Sequence, residues 1–134
     1  MKKDIPFPKV EDLAVAIVPE QEPGDETGWS VYLVNMSDHE LKTVIVTSKG
    51  YGQKEGEEVK TSTLRQLMGD IPAKTTVKIE GILEDVFGLT NEYWVSFWYD
   101  GKLHDKKYTF VRGSIAEVNF TKIPLLGKRG VMII

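Results

Sequence analysis

Residues 93 to 99 read YWVSFWY, five aromatic side chains in seven positions. β-Branched and aromatic residues at this density favour a strand, and strand side chains alternate between faces. Tyr93, Val95, Phe97 and Tyr99 therefore share one side, and Trp94, Ser96 and Trp98 the other. One side serves an ordinary core. The two tryptophans need a different cover: another part of the chain, a partner, a sugar or a nucleobase.

Working outward, WYDGKLHDKKYTF contains Asp100-Gly101, the pair that suits a tight type I′ turn, and predicts a hairpin of strands over about 92–100 and 103–112. Upstream, WSVYLVNMSDHELKTVIVTS predicts a second hairpin, over about 29–36 and 40–48, joined at Ser37 and Asp38. Runs at about 12–18, 57–61 and 74–83 complete seven strands. Between the fourth and fifth, TLRQLMGDIP spaces Leu64, Leu67, Met68 and Ile71 at i, i+3, i+4 and i+7. With Thr63 and Gln66 as a capping box and Gly69 as a stop, it predicts a short helix over about 63–69. EQEPGDETG (20–28) and KGYGQKEGEE, the latter carrying Gly50, Gly52 and Gly56, read as loops; no GK[ST] ending follows the second to make a phosphate cradle.

The expected fold is all-β: a seven-stranded antiparallel immunoglobulin-like sandwich with that one helix crossing its end. NEYWVSF resembles the start of the sixth strand of such a sandwich, where a tyrosine turns the corner, which implies Tyr93 and Val95 inside. An OB-like barrel is the alternative. At 134 residues the chain reads as a single domain, 1–134, with an apolar C-terminal extension, 113–134, docked on it.

Composition narrows the function classes. Hydrophobic residues at 41% and charged residues at 28% fit a globular chain, and the net charge of −3, with both signs interleaved, leaves no basic stripe for phosphates and disfavours nucleic acid. Asp4, Pro6, Pro8, Lys9 and Glu11 interrupt any signal-peptide run behind Lys2 and Lys3, and no later segment approaches the roughly 20 apolar residues of a membrane span. A cytoplasmic location is expected. The absence of cysteine removes disulfides and thiolate metal sites. His39 and His104 each stand beside a carboxylate near a proposed turn, too few ligands for a tetrahedral shell, and no GxSxG elbow offers a nucleophile. Asp105, Lys106 and Lys107 cluster charges of both signs, as suits a solvated edge strand. No metal, no cofactor and no enzymatic activity are expected.

VIVTSKGYG, NEYWVSFWYDGK, HDKKYTF and NFTKIPLLGKRGVMI together give the chain a resemblance, over nearly its full length, to a family of small uncharacterised bacterial proteins. Some members carry the label phenylalanyl-tRNA synthetase subunit alpha, which implies aminoacylation chemistry and arginines that hold ATP. The arginines here are Arg65, Arg112 and Arg129, none within a recognisable synthetase motif.

The functional expectation is a non-enzymatic protein-interaction module that binds another protein or a second copy of itself through an apolar strip. The alternatives are a ligand-binding domain with Trp94 and Trp98 as a stacking platform for sugar or base, and a synthetase-related protein. The candidate surface comprises Trp94, Trp98, Val131, Met132, Ile133 and Ile134. Two bare indoles would expose about 300 to 500 Å². Residues 115 to 126, with Ile115, Val118, Phe120, Ile123, Leu125 and Leu126, are therefore expected across them. GVMII then remains to pair with a sheet edge, in the same chain or a second copy.

Overall fold

The computed structural model describes residues 12–20 and 28–134; the N-terminal stretch and most of the predicted 20–28 loop lie outside them. Two antiparallel sheets face each other. The first contains β1 (Leu13–Pro19), β2 (Trp29–Asn35), β6 (Thr75–Ile82), β9 (Thr121–Lys122) and β10 (Arg129–Ile133), in the order β6-β2-β1-β10-β9. The second contains β3 (Leu41–Lys54), β4 (Glu57–Lys60), β7 (Thr90–Tyr99) and β8 (Lys102–Phe110), in the order β4-β3-β7-β8, with β5 (Leu64–Ile71) also paired to β3. The sheets do not close into a barrel.

Period-2 alternation builds the core between them. Val15, Ile17, Val31 and Leu33 from the first sheet meet Val44, Val46, Tyr93, Val95, Phe97, Tyr108 and Phe110 from the second, all buried. The Tyr108 hydroxyl ties the two layers by donating to the Leu13 carbonyl at 2.8 Å. Tyr93 and Val95 share the inward side, as expected.

The β7–β8 hairpin turns at Asp100 and Gly101, both at positive φ (51° and 72°), with Tyr99 opposite Lys102: the type I′ geometry of an Asp-Gly pair. Other expectations fail. The predicted hairpin through Ser37 and Asp38 is a crossing between layers, since β2 pairs with β1 and β6 while β3 pairs with β4, β5 and β7. Buried Asn35 organises that crossing: its amide donates to the carbonyls of His39 and Pro72, both at 2.9 Å, and its oxygen accepts from Ser37.

The expected 63–69 helix is strand β5. The i, i+3, i+4 spacing was coincidental: Leu64 and Leu67 are exposed, Ile71 is buried, and the ladder to β3 satisfies backbone groups that a helix this short leaves unpaired. Gly69, read as a helix stop, instead adopts a φ of 79° where the register with β3 shifts. In place of that helix, single 3-10 turns stand at Glu84–Gly88 and Glu117–Asn119, beyond β6 and β8. The Gly50–Gly52 stretch, read as loop, extends β3 into a hairpin with β4. Ten strands are thus described where seven were expected.

Candidate functional site

The outer face of the second sheet carries the tryptophans. Odd residues of β7 face the core, so Glu92, Trp94, Ser96 and Trp98 face outward. Register completes the surface: Trp94 stands opposite Thr47 and Lys107, Ser96 opposite Ile45 and Asp105, and Trp98 opposite Lys42 and Leu103. Leu67 joins from β5, opposite Ile45. Trp94 and Trp98 are 46% and 45% exposed, Leu103 58% and Leu67 72%.

The expected cover is elsewhere. Ile115 packs into the inter-sheet core, Phe120 stacks edge-on against Trp29 with ring centroids 6.1 Å apart, and Val118 is exposed. Ile123 is buried with Leu126 against Ala14, Ala16 and Val18, on the outer face of the first sheet. Small residues there admit a close layer, whereas two projecting indoles do not.

The remaining candidate residues lie on β10, in the first sheet. Val131, Met132 and Ile133 pair with Ile17, Ala16 and Val15 of the same chain; Val131 is buried and Ile134 is exposed at the end. Trp94 and Trp98 thus form one surface, and Val131, Met132 and Ile133 belong to another layer of the molecule.

Charge rings the aromatic face. Lys107 holds its ammonium 5.1 Å from the Trp94 ring centroid, a cation–π arrangement. Glu92, buried at one end of the face, sits between Lys49 at 3.5 Å and Lys107 at 3.7 Å. At the other end Lys42 pairs with Glu40 at 2.6 Å and with Asp70 at 3.7 Å, and these two carboxylates raise its pKa.

A second, concave site lies between the layers at the β5–β6 edge. A β-bulge in β6, where the register with β2 skips Ile79 between Val31 and Tyr32, sets Glu80 opposite inward-facing Val31. The Glu80 carboxylate enters a cavity of about 290 Å³ lined by Ser48, Thr61, Ser62, Leu64, Ile82, Val86, Asn91 and Tyr93. Desolvation raises its pKa, and hydrogen bonds from the Ser48 and Tyr93 hydroxyls pull the other way. Burial and the adjacent carboxylate push the Tyr93 phenol up, so it stays a neutral donor. The corner tyrosine thus bonds a carboxylate.

Compared with known proteins, the chain matches no family model, no curated protein and no solved structure. Its sites rest on their own geometry.

Glu80 escaped sequence reasoning. Val77, Ile79 and Ile82 break the two-residue period, and that phase slip was the available signal for a bulge that turns Glu80 inward. His39 and His104 flank Tyr99, with ring centroids 4.9 and 6.0 Å away, and make aromatic contacts. Among the described residues no group of three or more His, Asp or Glu is placed to hold a metal. No helix among them is long and apolar enough to cross a membrane.

Proposed function

We propose that this chain is a non-enzymatic protein-interaction module whose binding surface is the outer face of the second sheet. The carrying observation is the pair of half-exposed tryptophans flanked by Leu67 and Leu103 on one open sheet face. The four side chains together expose on the order of 400 Å² of apolar surface, within the range of the largest patch on a typical monomer. Such a patch suits the centre of an interface of roughly 800 Å² per partner, where tryptophan is enriched and charge forms the rim. Sites for small ligands are concave; this one is an open face, which favours a macromolecular partner with an apolar surface of its own. Stacking of a sugar or base on Trp94 and Trp98 is less well supported, because Lys107 already lies over the Trp94 ring.

The fold reading extends in the same direction. β1, β2 and β6 in one layer and β3, β7 and β8 in the other correspond to strands A, B, E and C, F, G of an immunoglobulin-like sandwich. The synthetase-related alternative gains no support, since Arg65, Arg112 and Arg129 stand on β5, after β8 and on β10, far apart in the chain.

The test compares the wild-type chain with a Trp94→Ser, Trp98→Ser double variant, by sedimentation for self-association and by affinity capture followed by titration of the purified partner. Loss of roughly 30-fold or more in affinity in the double variant, with Val118→Ser unchanged, supports the reading. Equal affinity in all three proteins, or saturable binding of a saccharide or nucleobase that the double variant abolishes, overturns it.

A further inference from the structure

The Glu80 cavity is independent of the aromatic face and has the composition of a site rather than of a packing defect. Its walls are partly aliphatic, from Leu64, Ile82 and Val86, and the Ser48 and Tyr93 hydroxyls are directed to one carboxylate. No cation among the described residues pairs with that carboxylate. A charged group taken out of water is normally neutralised by a partner, and here two neutral hydroxyls do part of the work. The bulge that aims Glu80 inward costs ladder regularity, a feature over-represented beside functional sites. At about 290 Å³ the cavity sits at the bottom of the size range of roughly 300 to 1,000 Å³ for ligand pockets, which selects a small guest.

The geometry points to a binding site for a primary alkylammonium group, its charge on the Glu80 carboxylate and its chain along Leu64, Ile82 and Val86. An ammonium carries three donors and no acceptor, so it satisfies the acceptor capacity of the carboxylate that Ser48 and Tyr93 leave open. The same chemistry reaches the site either as a free small amine or as a lysine side chain. Binding requires ionised Glu80 and so competes with its protonation, which desolvation favours. The other titratable groups at the cavity are Tyr93, held neutral, and Lys49, whose ammonium is drawn to Glu92 on the outer face at 3.5 Å. Tyr93 therefore does not titrate in the mildly acidic range.

The test follows backbone amide shifts of the full isotope-labelled chain on titration with butylammonium chloride, with n-butanol and sodium chloride as controls. Expected are saturable shifts around Ser48, Glu80 and Tyr93 from butylammonium alone. Affinity should fall roughly tenfold or more in Glu80→Gln. In unaltered protein it should fall as pH drops through the ionisation of Glu80, a reading that depends on no variant. Nα-acetyllysine amide separates the two sources: it binds more tightly than butylammonium if the guest is a partner's lysine, and less tightly if it is a free amine. Equal affinity in Glu80→Gln, shifts reproduced by n-butanol, or no saturation at concentrations on the order of 0.1 M would overturn the assignment.

Discussion

Both sheets present apolar residues outward, and they meet opposite fates. On the first, Ala14, Ala16, Val18 and Val34 are sealed by Ile123, Leu126 and Met132 from the chain's own C-terminal segment. On the second, Trp94, Trp98, Leu67 and Leu103 stay open. The difference lies in what anchors the covering segment. β10 pairs with β1, and Gly130 lies against its backbone where a side chain has no room: a Cβ there would overlap the Ile17 carbonyl oxygen and stand 2.7 Å from Cγ1 and 3.0 Å from Cα of Val18. Once β10 is fixed on β1, the loop ahead of it lies across the alanine face. That loop is closed by the Ile123 amide donating to the Lys128 carbonyl at 2.8 Å. Apolar area alone does not choose which face is covered; strand pairing does.

The comparison can be broken hardest at Gly130. Because the obstructing atoms are backbone, Gly130→Val should strip β10 from β1 at a cost of about 3 kcal/mol or more, read as a lower denaturation midpoint and faster amide exchange at Val131–Ile133. A variant within about 0.5 kcal/mol of wild type would mean that the close approach is not required. Next in size is Ile123→Ala: fully buried, this side chain should cost about 2 to 4 kcal/mol in urea denaturation, although it belongs to the covering loop rather than the central core.

Smaller is the effect at Glu20, which ties the covered face together. Its carboxylate accepts from Ser30 and Lys128, both at 2.5 Å, and from Tyr32, and it lies 3.9 Å from Lys78. Desolvation works against ionisation, but the hydrogen bonds from Lys128, Ser30 and Tyr32 outweigh it and hold the pKa at about 2. A folded pKa below the unfolded value of roughly 4.3 stabilises the protein above that value. The contribution is lost as pH falls from about 5 towards 2. Glu20→Gln should therefore cost about 1 to 2 kcal/mol at neutral pH after solvent screening, with the difference fading in acid. A cost independent of pH between 7 and 3 would refute the linkage.

The smallest effect belongs to the open face. Trp94→Ser with Trp98→Ser should change stability by less than about 1 kcal/mol, far below the cost of emptying a core site. In Trp29→Phe the remaining indoles should emit to the red and be readily quenched by iodide. The protein that keeps only Trp29, packed between Phe87 and Phe120 at 4.8 and 6.1 Å, should emit further to the blue. Identical quenching of the two proteins would show the tryptophan face to be covered after all.

The sequence by itself determined what depends on neighbours along the chain. Alternation in YWVSFWY put Tyr93, Val95 and Phe97 on one side of the strand and both tryptophans on the other, and Asp100-Gly101 set the β7–β8 turn through backbone preferences of two residues. Tertiary structure decided the rest, because it rests on pairings between distant residues. The ladder to β3 overrode the helical spacing of Leu64, Leu67, Met68 and Ile71. The partners of Asn35 sent β2 and β3 into different layers. A skipped residue opposite Val31 and Tyr32 turned Glu80 into a cavity whose other wall comes from β3 and β7. The fit of Gly130 against Ile17 and Val18 placed the C-terminal segment over alanines, and so left Trp94 and Trp98 facing outward. Local periodicity says which side of its strand a residue takes; only the register between strands says what lies on that side.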